Sequence, residues 1–321
     1  MLSHNKGFKI FLIIITIFIV VGTGLYFFAP RLPVVGERFK NTDYIGVLYV
    51  EGIISGGEAN SFLSETGYNH DYILSQIDAF INDENNQGLV IFVNSPGGSI
   101  YETDEVYLKL MEYKDKTGCP VYISMGSLAA SGGYYISMAG DKVFANRNTL
   151  TGSIGVTFGT FYDISDFLDE HGIKTVTLTA GRNKAMGDIT EPMTDERMAI
   201  YQSILDDSYG QFVDIISKGR GLDVETVKTL ADGRIYTARQ ALEHKLIDQL
   251  GTLDETIDAV MYDHELEYCE VYYYWYEDDS IFSMLSGLVN VGNQYGDIGT
   301  VLKLLDNRYQ IPIGYISEWG F

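Results

Sequence analysis

The run Gly88-Leu89-Val90-Ile91-Phe92-Val93 constrains this chain more than any other stretch. It is too short for a helix and has no polar side chain, so it reads as a strand buried on both faces. Such strands belong to parallel sheets clad by helices, and the flanking pattern supplies them. From Tyr72 to Ile81 the apolar residues Ile73, Leu74, Ile77, Phe80 and Ile81 recur at helical spacing, and Glu102 to Lys114 predicts a second helix. Tyr44 to Ile54, Val121 to Met125, Lys142 to Ala145 and Lys174 to Thr179 read as further strands, with a helix over Tyr162 to His171. This alternation predicts βαβ units and a mainly parallel sheet, with ligands at the carboxyl ends of its strands. Downstream, helices are expected over 193–218, 223–230 and 237–244, and a strand over 268–276.

Between Ile10 and Pro30 lie 21 residues without a charge. That is the length of one membrane crossing, and its end lacks the small-residue pattern of a cleavage site. Beyond residue 40 the balance is 17 basic to 43 acidic residues, a surface that disfavours nucleic acid. Only Arg31, Arg38 and Lys40 suit lipid head groups. Cys119 and Cys269 have no neighbouring cysteine or histidine at metal spacing, so no metal site is expected and two buried thiols are favoured over a disulfide.

Three predicted loops carry candidate chemistry. Ala129-Ala130-Ser131-Gly132-Gly133 places a serine at the start of a predicted helix, 132–138, where most serines are caps. Asn94-Ser95-Pro96-Gly97-Gly98 follows the run above, and its glycines allow backbone amides to approach a ligand. A serine nucleophile needs a base, yet none of the five histidines lies in a glycine-framed segment and no Gly-x-Ser-x-Gly elbow is present. A desolvated lysine can serve instead, and Lys184, in Ala180-Gly181-Arg182-Asn183-Lys184, follows the strand expected to end near Thr179. That expectation puts Lys184 on the same sheet edge as Ser131 and Gly98.

The ordered set N-S-P-G-G-S at 94–99, M-G-S-L-A-A-S-G-G-Y-Y at 125–135, L-T-G-S-I-G-V at 150–156, G-R-N-K at 181–184 and D-G-R-I-Y-T-A-R-Q-A at 232–241 resembles signal peptide peptidase A, the membrane-anchored serine–lysine peptidases of bacteria. The resemblance covers roughly residues 44–262. It implies the Clp protease and crotonase fold, a stack of ββα units, preceded here by one N-terminal transmembrane helix. It also implies Ser131 as nucleophile, Lys184 as general base, Ser153 orienting the lysine, and Gly98 and Gly132 as oxyanion-hole donors. Ser131 and Lys184 are 53 residues apart, as in the short, single-repeat members.

The corresponding domain plan is a cytoplasmic stub over 1–9, an anchor over 10–30, a linker over 31–43, a peptidase domain over 44–276 and a tail over 277–321. The implied activity needs no cofactor. It degrades signal peptide remnants and other apolar peptides in a bacterial cell membrane, with the catalytic domain extracytoplasmic. Members assemble into homo-oligomeric rings, so a neighbour can complete a subunit's site. Two rival readings share the fold: a crotonase-like acyl-CoA enzyme, disfavoured by the acidic surface, and a membrane scaffold without catalysis.

Overall fold

The computed structural model describes residues 42–56, 67–276 and 314–316. The predicted anchor at 10–30 and most of the tail lie outside them. Among the described residues, no helix is long and apolar enough to cross a membrane.

Strands β1 (Tyr44–Glu51), β2 (Asn86–Ser95) and β4 (Val121–Ala130) form the centre of the sheet, with short β3 (Gly97–Ser99) following β2. Helix α1 (His70–Ile81) joins β1 to β2, and α2 (Ile100–Thr117) joins β3 to β4. Next come α3 (Gly132–Ser137), β5 (Lys142–Ala145), β6 (Leu150–Gly152), α4 (Ser165–Glu170) and the long α5 (Asp195–Arg220). The chain continues through α6 (Val224–Leu230), β7 (Ile235–Thr237), α7 (Ala238–Glu243), β8 (Gln249–Leu250), α8 (Leu253–Asp263) and β9 (Glu270–Tyr274), and β10 (Gly314–Ile316) is described in the tail.

The sheet runs β7-β6-β4-β2-β1-β9, with β5 beside β4 and β8 beside β5. Every pairing in it is parallel except β6 with β7. Side chains alternate as the pleat requires. Leu89, Ile91 and Val93 of β2 join the larger core with Phe80, Leu110, Tyr134 and Phe212, whereas Val90 joins Ile257 and Val260 of α8 on the opposite face. The continuous apolar run is thus explained by two covered faces.

Strand β4 forks the sheet. Its first half pairs with β5 through Met125, and its last residues, Leu128 to Ala130, pair with β6. The register shift between the halves is fastened by Asn94, whose Oδ1 accepts from Ser127 Oγ at 3.0 Å and Leu128 N–H at 3.3 Å.

Two expectations are corrected. Residues 174–179 form no strand: the segment reads as one locally, but it lies exposed with no ladder partner, so nothing satisfies an extended backbone there. More broadly, none of the 57 residues from Gly155 to Gln211 is buried, and Val176 and Leu178 are 82% and 91% exposed. Both cysteines are free thiols, but only Cys269 is buried and Cys119 is half-buried.

Candidate active site

Ser131 follows β4 and precedes α3, and it is one of four non-glycine residues with positive φ among the described residues. With φ 53° and ψ −116° it lies outside even the left-handed helical well, a conformation costing about 1–3 kcal/mol. Its backbone is held from both sides: Ser131 N–H donates to Gly152 O at 2.8 Å, and Tyr135 N–H donates to Ser131 O at 2.9 Å. The side chain does not cap the helix. Ser131 Oγ is buried and has no hydrogen-bond partner, so the ordinary reading of a helix-start serine fails here.

Helix α3 is pinned firmly. Tyr134 OH donates to Leu246 O at 2.7 Å, and burial pushes its phenol pKa up. Tyr135 OH donates to Asp104 Oδ1 at 2.5 Å and accepts from Gln211 Nε2 at 2.6 Å, tying α3 to α2 and α5.

The glycine loop converges on the serine. Ser95 Oγ accepts from Gly97 N–H at 3.1 Å, and Gly97 takes φ 100°, which only glycine adopts freely. Strand β3 then lies so close to Ile54 that a Cβ at Gly98 would sit 1.9 Å from Ile54 O. A Cβ at Gly132 would lie 3.2 Å from Gly98 N, so the two glycines pack backbone to backbone. Gly132 opens α3, where amides have no intrahelical acceptor. On its other side β3 pairs antiparallel with β10, Tyr315 opposite Gly98.

Ser153 joins the same edge. Ala130 pairs with Gly152 across β4 and β6, so the next residues, Ser131 and Ser153, leave adjacent strands together. Ser153 also has positive φ, 50°, and its N–H donates to Arg234 O at 2.8 Å.

The chain therefore brings together Ser131, Ser153, Gly98 and Gly132 but not Lys184. Without the strand expected over 174–179, Lys184 is not delivered to this edge. It lies exposed in a turn, its N–H donating to Gly181 O at 3.1 Å. Thr103, to which no sequence motif points, lies within this packing: it is fully buried, and a Cβ at Gly132 would come 2.7 Å from its Oγ1. Only the packing of α2 on α3 reveals it. Among the described residues no group of three or more histidines, cysteines and carboxylates could hold a metal.

A parallel α/β sheet with a strained serine beside a glycine-built pair of amides defines the Clp protease class, and residues 39–166 match the Clp protease family model. Residues 113–267, spanning Ser131, Ser153 and Lys184, match the model of peptidase family S49, and the chain belongs to that family. It is similar to a putative signal peptide peptidase SppA of Enterococcus faecium, 38% identical over 231 residues, covering 72% of this chain and 66% of the relative. A putative protease of Synechocystis is 38% identical over 175 residues, 54% of this chain and 62% of its own length. Protease 4 of Haemophilus influenzae is 31% identical over 276 residues, 82% of this chain and 42% of the relative. The matches thus span 66% or less of each of these relatives.

Proposed function

We propose that this chain is a membrane-anchored serine peptidase that cuts signal peptide remnants and similar apolar peptides, with Ser131 as nucleophile and Lys184 as general base. One observation carries the reading: Ser131 is held in a strained conformation with a buried hydroxyl that neither caps its helix nor bonds elsewhere, beside Gly98 and Gly132. Strain of this kind is retained where the surrounding structure over-determines it, typically at reactive centres.

In the proposed reaction the Lys184 amine takes the proton of Ser131 as Oγ attacks the scissile carbonyl. The amides of Gly98 and Gly132 hold the oxyanion, and Ser153 orients the lysine. Strand β3 supports an extended substrate, because its edge already accepts an antiparallel strand, β10.

The exposed placement of Lys184 supports the ring assembly: a neighbouring copy supplies the lysine. The 57-residue stretch from Gly155 to Gln211 has no fully buried residue, yet exposes Val176, Leu178, Phe167 and Tyr162, a surface suited to a second copy. The uncharged run 10–30 supports the anchor.

The test is cleavage of a hydrophobic peptide by the full chain in detergent, beside Ser131→Ala and Lys184→Ala. Both variants are expected to lose activity while retaining the parent's far-UV spectrum. Full activity in either overturns the assignment.

A further inference from the structure

Among the described residues, three buried side-chain polar atoms lack a hydrogen-bond partner: Glu102 Oε2, Thr103 Oγ1 and Ser131 Oγ. The peptidase reading accounts for Ser131, and any part that Thr103 plays in the same chemistry rests on that reading. Thr103 is the fourth residue of α2 and has no exposed surface. The point where Gly132 would carry a Cβ lies 2.7 Å from Thr103 Oγ1, 3.1 Å from Gly97 Cα and 3.2 Å from Gly98 N. This hydroxyl therefore packs directly against the backbone of the two glycines assigned to the oxyanion.

A threonine inside a helix usually disposes of its proton on the carbonyl one turn back. Thr117, Thr229 and Thr256 do so here, donating to Tyr113 O, Glu225 O and Thr252 O at 2.7, 2.9 and 2.8 Å. Thr103 does not, although burying an unsatisfied hydroxyl is costly and valine would fill the same shape without that cost. Its position beside Gly98 and Gly132 gives the hydroxyl a partner during the reaction.

We infer that Thr103 Oγ1 is a third hydrogen-bond donor to the oxyanion. As the bond from Ser131 Oγ to the scissile carbon forms, the serine proton passes to the Lys184 amine and the carbonyl π pair moves onto oxygen. Thr103 O–H donates to that oxygen together with the Gly98 and Gly132 amides and keeps its proton. On collapse the pair returns to the carbonyl, the C–N bond breaks, and the leaving amine takes the proton from Lys184.

The experiment compares the full chain with Thr103→Val, which removes the hydroxyl and keeps the shape, and Thr103→Ser, which keeps the hydroxyl. Peptide cleavage, the labelling rate of Ser131 by a fluorophosphonate and the melting temperature are measured for each. Thr103→Val should lower kcat and the labelling rate on the order of 10²-fold, with KM unchanged and a melting temperature no lower than the parent's. Thr103→Ser should stay within about fivefold of the parent, since the donor remains. Parent-like kcat in Thr103→Val overturns the inference. An equal loss in Thr103→Ser does so too, because the effect would then follow the missing methyl. A parent chain that neither cleaves peptide nor reacts at Ser131 overturns the peptidase reading itself, and this role with it.

Discussion

Ser131 and Ser153 leave adjacent strands side by side with the same unusual backbone sign, φ 53° and 50°, joined through the Ser131 N–H to Gly152 O bond of 2.8 Å. Two non-glycine residues at positive φ, one hydrogen bond apart, make this edge a place where the fold gives up stability. Glycine would relieve it.

The first prediction uses that strain. Ser131→Gly should be more stable than Ser131→Ala by about 1 kcal/mol, a rise of about 2–4 °C in melting temperature, although both lack the nucleophile. Equal melting temperatures by calorimetry would show that the Ser131 backbone is unstrained.

A second prediction concerns where the lysine comes from. Ser131→Ala and Lys184→Ala are each expected to be inactive alone. Coexpressed in equal amounts, they should recover roughly a quarter of the parent activity, as random mixing in a head-to-tail ring pairs intact halves. A silent mixture beside an active parent control would place both groups in one chain.

Gly98 tolerates no side chain. A Cβ there would lie 1.9 Å from Ile54 O, against backbone that cannot swing away. Gly98→Ala should therefore destabilise the fold by about 3 kcal/mol in urea denaturation and abolish peptide cleavage. Parent-like stability would mean that Ile54 and Gly98 separate readily.

Acid sensitivity is expected to involve Arg220 and Asp248. The Arg220 side chain is only 6% exposed, and its Nη1 and Nη2 donate to Asp248 at 2.8 and 2.7 Å. Burial raises the Asp248 pKa, but Arg220 and the Val143 N–H outweigh it, so the carboxyl titrates below its ordinary value. A lowered folded-state pKa gives stability that is present above the ordinary carboxylate range, near about 4, and is lost as pH falls through the folded value. Asp248→Asn should cost about 3 kcal/mol at neutral pH by leaving Arg220 poorly paired, and should flatten the stability profile below about pH 4. An unchanged acid limb, followed by melting temperature, would assign it to other carboxylates.

The sheet is legible in the sequence wherever apolar residues are consecutive or alternate over several positions, which places β1, β2, β5 and the first half of β4; the small residues 126–130 that complete β4 carry no such pattern. Strands β6, β7 and β8, of two or three residues, are too short to carry a period and leave no such signal. The opposite error, a strand over 174–179, arises because local β-propensity says nothing about a partner. At the site, the serine and glycines can be picked out from their spacing, but the backbone sign of Ser131, which separates a helix cap from a strained turn, cannot. Ser153 has no signal of its own until the β4–β6 register brings it beside Ser131. Thr103 is invisible because its importance lies in a hydrogen bond it does not make.

The stretch from Gly155 to Gln211 adds no fully buried residue to the folded core, so substitutions at its exposed positions, unlike those at Val156, Tyr209 and Gln211, are nearly free of folding consequences. Selection can therefore reshape those exposed positions to suit what they meet while the sheet, Ser131 and Lys184 stay constant. The molecule thus has one part bound by its core and one part whose exposed positions, Lys184 apart, are bound only by what they touch outside the chain.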